Sequence, residues 1–376
     1  MKNKRLPQGL SELSLEESRN VQELTDKLFA VLKKEGFSKI EPSQIDFAKN
    51  LEMEQNSSDS LFKSIDTDGK LLAFSGDSTP SIMRFVEGEQ LVQRVYFDRL
   101  NYSFIPNKNG NRVSRECGAQ LYGIADTEGD AEIITACYDS LVQNGIKNLK
   151  ITVSHAFLFK SIIYSYKPTE DITTEDIRVL IETGLCDKLN EVCIAAVTTI
   201  AKQKGDIKVL QEVAEGINNR EAIDCLLKLF EIYQILAEYG LDESLEFDFG
   251  YMPSASYYNG IVFKISNEEK KLAQGGHFSG TKFASAVIGT GFKYNINNII
   301  SIINAESKGN DTEVILGIAN SIAALNKARK IKLSLMESDV RINTLYKVTK
   351  AECYDIALQC KTENVIYIND KGELEE

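Results

Sequence analysis

Residues 246–266 read EFDFGYMPSASYYNGIVFKIS, and the reading of this stretch decides the fold. An aromatic-rich run at 247–251 and a second run at 257–263 both have strand composition, separated by small residues. Joined through Pro253 and Ser254, the two runs are expected to pair as a hairpin. On a pleated strand Tyr257 and Tyr258 point to opposite faces, so one ring packs in the core while the other offers its hydroxyl to a pocket. By pattern alone this is an ordinary buried hairpin.

The rest of the chain bounds what the hairpin belongs to. A length of 376 residues exceeds the usual single domain and predicts two, or one large domain with an appendage. Hydrophobic content of 43% beside 26% charged residues is that of a globular chain with a sizeable core. The opening MKNKRLPQGLSELSLEES has no apolar h-region, and no run is long enough to span a bilayer, so a cytoplasmic protein is expected. Seven cysteines, at 117, 137, 186, 193, 225, 353 and 360, lack CxxC spacing, and only two histidines accompany them. Buried thiols are expected, with no metal site and no cofactor. A formal net charge of −12 opposes broad attraction to phosphate backbones, so transfer RNA is not an expected ligand.

Taken in order, the chain alternates helical and strand patterns. Val21, Leu24, Leu28, Val31 and Leu32 recur at helical spacing, and Gly36 can end that helix before a strand-like FSKIEPSQIDF. Asp66, Thr67, Asp68 and Gly69 form a hairpin turn between two short strands. Ser78 or Thr79 is then expected to cap a helix beginning at Pro80, with Asp77 at its mouth. Residues 94–123 read as strand, polar loop and strand, followed by a helix at 127–144. His155 follows a strand with no ligand-spaced partner, which fits a capping or core histidine. Residues 171–240 are helical in pattern, with Asp171 and Asn219 as caps. From about 311 the order strand, helix, strand, helix, strand indicates a small parallel α/β unit. Its basic clusters at 327–332 and 347–350 fit solvated helix faces.

The wording of several stretches resembles one family, the histidyl-tRNA synthetases and their non-synthetase relatives, the regulatory subunits of ATP phosphoribosyltransferase. YYNGIVFKIS is similar to the family's YYTGIVFE, and Leu6, Pro7 and Gly9 to its LPxG opening. Asp77 and Thr79 follow its DxxGxxLxLRPDxT, with Ser75 in place of the arginine. Gly275, Gly276, Gly289, Thr290, Gly291 and Phe292 match its GGRYD and ATGF segments. The charged groups of the family are replaced. The motif 2 arginine, which holds the α-phosphate of ATP, aligns with Tyr102, and the motif 3 arginine with Asn298. His277 and Ser279 stand for Arg and Asp of GGRYD, and Pro253 for the arginine of VRGLDYY; Arg112 still matches. Glu116 stands for a glutamine, and Gln120 for the carboxylate that receives the substrate imidazole.

This resemblance implies an α+β fold: a class II aminoacyl-tRNA synthetase-like antiparallel sheet flanked by helices over 1–305, a helical insertion at about 156–240, and a shortened anticodon-binding-like α/β domain at 311–376. It also implies loss of adenylation, because a tyrosine hydroxyl cannot replace a fixed cation at phosphate. The implied role is that of a non-catalytic regulatory subunit, a homodimer within a hetero-oligomer. Its implied partner is a short-form ATP phosphoribosyltransferase catalytic subunit, and its implied effector is histidine. The corresponding pocket comprises Asp77, Thr79, Glu116, Gln120, Tyr257 and Tyr258. In it Asp77 or Glu116 takes the ammonium, and Tyr258 and Gln120 take the imidazole. A helix-cap role for Asp77 stays open beside the ligand role. With no cation for the ligand carboxylate at Pro253, weak or altered histidine binding is expected. An orphan paralogue that binds another amino acid or acts as a dimeric scaffold stays open as well, ahead of an active synthetase.

Overall fold

The computed structural model describes residues 6–52, 60–88, 92–107, 109–253, 255, 257–268, 270–279, 287–306, 313–338, 340–360 and 362–375. Two compact units divide the chain, residues 1–302 and 303–376.

The first unit opens with α1 (Leu15–Lys34), where Ser14 and Glu17 form a reciprocal capping box and the stripe from Val21 to Leu32 is buried. Gly36, with φ of 87°, turns the chain at the helix end. Next come β1 (Ser38–Lys39), β2 (Ile45–Phe47), α2 (Ala48–Glu52), β3 (Lys63–Ile65) and β4 (Leu71–Phe74). The last two strands pair across the expected Asp66–Gly69 turn, closed by the Gly69 amide donating to the Asp66 carbonyl at 2.9 Å. Then follows α3 (Ser78–Val86), whose cap is Asp77. The expected start at Pro80 is two residues late, because the Asp77 carboxylate already accepts from the Thr79 amide.

The long strands β5 (Gln93–Tyr102) and β6 (Val113–Tyr122) lead to α4 (Thr127–Val142) and β7 (Leu149–His155). After β7 come α5 (Leu158–Ser165), α6 (Thr174–Thr183), α7 (Glu191–Ala201), β8 (Lys204–Gly205), α8 (Lys208–Glu215) and α9 (Arg220–Glu238). Asn219 caps α9 as expected, whereas α6 is capped by Thr173 and not by Asp171, because Thr173 and Asp176 satisfy each other's backbone amides. The unit finishes with β9 (Leu245–Asp248), β10 (Tyr258–Asn267), β11 (Lys270–Ser279), β12 (Ile288–Tyr294) and α10 (Ile296–Glu306), within which the division between the units falls.

Nine strands form one sheet in the order β1-β5-β6-β12-β11-β10-β7-β9-β8. Pairing is antiparallel from β5 through to β7 and parallel at β1–β5 and β7–β9. The hairpin expected at 247–263 does not form. Strand β7 lies between β9 and β10, pairing with β9 in parallel and with β10 antiparallel, so the two runs are next-nearest neighbours. Pro253 sits in the crossing segment, and Ser254 lies outside the described residues. Helices α1, α4 and α9 cover the sheet face that carries Phe292, Phe263 and Ile265. On the other face α3 packs Ile82, Met83 and Val86 against Val95, Phe97, Tyr122 and Phe278.

The second unit contains β13 (Glu313–Ile318), α11 (Ile322–Leu335), β14 (Arg341–Tyr346), α12 (Lys350–Cys360), β15 (Val365–Ile368) and β16 (Leu374–Glu375). Its β13 pairs in parallel with β14 and β15, and Leu316, Ile318, Ala328 and Cys353 share its own core. The expected start at Asp311 lies outside the described residues.

Candidate functional site

Strand periodicity places the site. On β6 the side chains of Glu116 and Gln120 share a face with Arg99 and Asn101 of β5. Gly118, between them, pairs with Lys293 of β12, so the lysine is rooted opposite the one position on that row without a side chain. A Cβ on Gly118 would lie 2.0 Å from the Phe292 carbonyl oxygen and 3.1 Å from the Lys293 Cα, so only glycine fits. Above this face stands the start of α3, with Asp77, Ser78 and Thr79, and beside it the residues that enter β10.

Lys293 is the centre of the resulting network. Its Nζ is 2.9 Å from Asp77 Oδ1 and 3.0 Å from Glu116 Oε1. The remaining carboxylate oxygens are held as well: Tyr257 donates to Asp77 Oδ2 at 3.1 Å, and the Ser78 hydroxyl and amide donate to Glu116 Oε2 at 2.8 and 3.2 Å. Outward from there, Thr79 Oγ1 lies 3.3 Å from the Tyr257 hydroxyl and accepts from Gln120 Nε2 at 2.9 Å. The Gln120 oxygen in turn accepts from Tyr122 at 2.6 Å. Arg99, 6% exposed, donates from Nη2 to the Ser43 carbonyl, and its Nε and Nη1 have no partner among the described residues.

The electrostatics follow from burial against pairing. Burial alone lowers the Lys293 ammonium, but Asp77 and then Glu116 more than offset it, and the group is held well above its ordinary value. Burial raises Asp77, yet the Lys293 charge, with the Thr79 amide and the Tyr257 hydroxyl, leaves it below the usual carboxylate range. Burial also pushes Tyr257 well above its ordinary value, and Tyr258 to about 12. Lys293 is therefore charged, Asp77 ionised and both tyrosines protonated at neutral pH. The charged lysine and the ionised aspartate neutralise each other inside the network.

Of the six expected pocket residues, Asp77, Thr79, Glu116, Gln120 and Tyr257 lie in this one network. Tyr258 stands beside it, its ring 4.8 Å from that of Tyr257. The opposite-face expectation for the two tyrosines fails because Tyr257 precedes the strand, so the pleat does not govern its direction. Gln120 is 2% exposed, with both ends of its amide engaged inside the network. Lys293, Ser78 and Tyr122 escaped sequence reasoning. The signal for Lys293 was its place directly after the Phe292 of the ATGF-like segment, two residues from Gly291 on the same face.

The substituted positions are structurally employed. Tyr102 packs on Phe74 with ring centroids 5.3 Å apart, and Asn298 donates to the Lys271 carbonyl at 2.9 Å, tying α10 to β11. Arg112, the retained arginine, lies over the rings of Phe62 and Phe104 at 4.2 and 4.8 Å and donates to the Gln8 carbonyl at 3.4 Å. Ser75 is buried, its hydroxyl donating to the Asp77 carbonyl at 2.6 Å. On the opposite sheet face His277 contacts Asp130 at 3.2 Å, beside a cavity of about 390 Å³ between α4 and α9. His155 is a buried histidine whose Nδ1 accepts from the Phe157 amide at 3.3 Å. Five cysteines are buried and Cys186 and Cys360 half-buried; no cluster of metal-ligating side chains occurs among the described residues.

Comparison with known proteins supplies the family. The sequence profile of Histidyl-tRNA synthetase matches residues 9–299, well over half of the chain. The ATP phosphoribosyltransferase regulatory subunit of Clostridium novyi is 26% identical, over 97% of this chain and 92% of its own length. That of Caldanaerobacter subterraneus is 26% identical over 81% of this chain and 84% of its own. Among solved structures, an ATP phosphoribosyltransferase regulatory subunit/histidyl-tRNA synthetase from Bacillus halodurans shares the fold with a TM-score of 0.79 at 18% identity, covering 97% of this chain and 98% of that one. A histidine–tRNA ligase subunit from Alicyclobacillus acidocaldarius gives a TM-score of 0.67 at 16% identity, covering 81% and 98%. The chain belongs to the histidyl-tRNA synthetase family, and the two relatives above, which it matches over most of their length, are named regulatory subunits of ATP phosphoribosyltransferase.

Proposed function

We propose that this chain is a non-catalytic regulatory subunit that binds and activates a short-form ATP phosphoribosyltransferase catalytic subunit, at the first step of histidine biosynthesis in the cytoplasm. The observation that carries the reading is the pairing of an intact scaffold with the loss of its nucleotide-binding cations. Tyr102 and Asn298 stand where motif arginines are expected and are spent on packing and on a strand-to-helix tie. Arg112 lies against the rings of Phe62 and Phe104. A site for a triphosphate needs fixed positive charge at the phosphates, and these side chains do not supply it. The names of the relatives that match this chain over most of their length supply the direction of the role.

In this reading the chain is a homodimer within a hetero-oligomer, and Asp77, Thr79, Glu116, Gln120, Tyr257 and Tyr258 form the remnant of an amino-acid pocket with weak affinity for histidine. Size-exclusion chromatography of this chain with the short catalytic subunit from the same organism tests the assembly. Co-elution in one complex is expected; separate elution at micromolar concentrations contradicts the reading and leaves the orphan-paralogue alternative.

A further inference from the structure

We propose that Asp77, Glu116 and Tyr257 form a binding site for a primary ammonium group, and that Lys293 fills this site from within the chain. Three features of the geometry carry the assignment. Both carboxylates converge on one point, with oxygens 2.9 and 3.0 Å from the Lys293 nitrogen. Neither carboxylate depends on Lys293 for its position: Asp77 is fixed by the Thr79 amide and the Tyr257 hydroxyl, and Glu116 by the hydroxyl and amide of Ser78. The ammonium itself arrives from β12, on a four-carbon stem rooted opposite Gly118.

Charge balance points the same way. Two carboxylates face the Lys293 ammonium, and the buried Arg99, which acts electrostatically on both, provides the second positive charge. Deleting the lysine leaves the site one charge negative, at a place where an unpaired carboxylate is unfavourable and a cation with three N–H donors is favoured. The ligand class is thus a primary alkylammonium, the α-ammonium of a free amino acid included. A quaternary ammonium of similar size lacks the donors that the carboxylates accept from.

The consequence for regulation rests on the function proposed above: a complex built with this chain responds only weakly to an amino acid through this pocket, because a ligand must displace Lys293 from the ammonium position. The binding claim itself is tested on this chain alone, so its failure and the failure of the regulatory reading are separable.

The variant Lys293→Ala removes Cγ through Nζ, and n-propylammonium is the deleted fragment. Thermal unfolding of K293A is expected several degrees below wild type, with n-propylammonium chloride restoring part of the loss in a saturable manner. Tetramethylammonium chloride at equal concentration is expected to restore nothing, wild type to respond to neither salt, and Asp77→Asn in the K293A background to abolish the rescue. Equal shifts in wild type and variant, equal rescue by the quaternary salt, or no rescue overturns the proposal. Where K293A does not fold, Lys293→Ser, which frees the same volume, carries the same comparison. A calorimetric titration of wild type with free histidine should show at most weak, millimolar binding through this site; micromolar binding lost on Asp77→Asn also overturns it.

Discussion

Lys293 shows how one side chain changes the meaning of its neighbours. Asp77 and Glu116 were identifiable from the sequence as acids of a pocket, but their partner sits more than 170 residues further along and is brought to them only by the β6–β12 register. Removing one member of such a pair while leaving the others desolvated is costly: Asp77→Asn is expected to destabilise the fold by about 3 kcal/mol in denaturant titrations. His155 gives a second test at this scale. Burial, then the nearby charges of Lys228 and His277, lower its pKa to about 3, so the folded state holds it neutral. Because the folded value lies below the unfolded one, its contribution to stability is complete above pH ~6.5 and is lost as the pH falls toward 3. Between pH 7 and pH 5 wild type should lose about 2 kcal/mol more stability than His155→Gln, as read from urea midpoints at the two pH values. Both Asp77 as a cap and His155 as a core residue were legible locally, since the bonds concerned reach only two residues.

At the scale of elements, local signals served where pairing is local and failed where it is not. The Ser14 box, the Asn219 cap and the Asp66–Gly69 hairpin each close within a few residues. The runs at 247–251 and 257–263 looked like a hairpin for the same reason, yet β7, about 100 residues earlier in the chain, inserts between them. No property of the two runs themselves encodes that insertion. Asn219 accepts from the Glu221 and Ala222 amides at the start of α9, so Asn219→Ala is expected to cost about 1 kcal/mol, visible as a small fall in the urea midpoint. Gly118 should be far less tolerant. Its missing Cβ leaves room for the Phe292 carbonyl of the adjoining strand, and Gly118→Ala should cost about 3 kcal/mol or yield insoluble protein.

Across the whole molecule, the nine-stranded sheet and the α/β unit at the C-terminal end follow from strand and helix periodicity together with the family wording. In the proposed reading the chemistry is legible mainly as loss, because tyrosine at 102 and asparagine at 298 are visible in one sequence. What the substituted side chains do instead, such as the Asn298 tie to β11 or the packing of Tyr102 on Phe74, depends on contacts between distant segments. Without the cations at 102 and 298, aminoacylation of histidine tRNA by this chain should be indistinguishable from a blank. The most direct test of the regulatory role is the rate of phosphoribosyl-ATP formation by the short catalytic subunit, measured with and without this chain at saturating ATP and phosphoribosyl pyrophosphate. A several-fold or greater rise in rate that saturates with added chain is the predicted result; an unchanged rate at excess chain would contradict it.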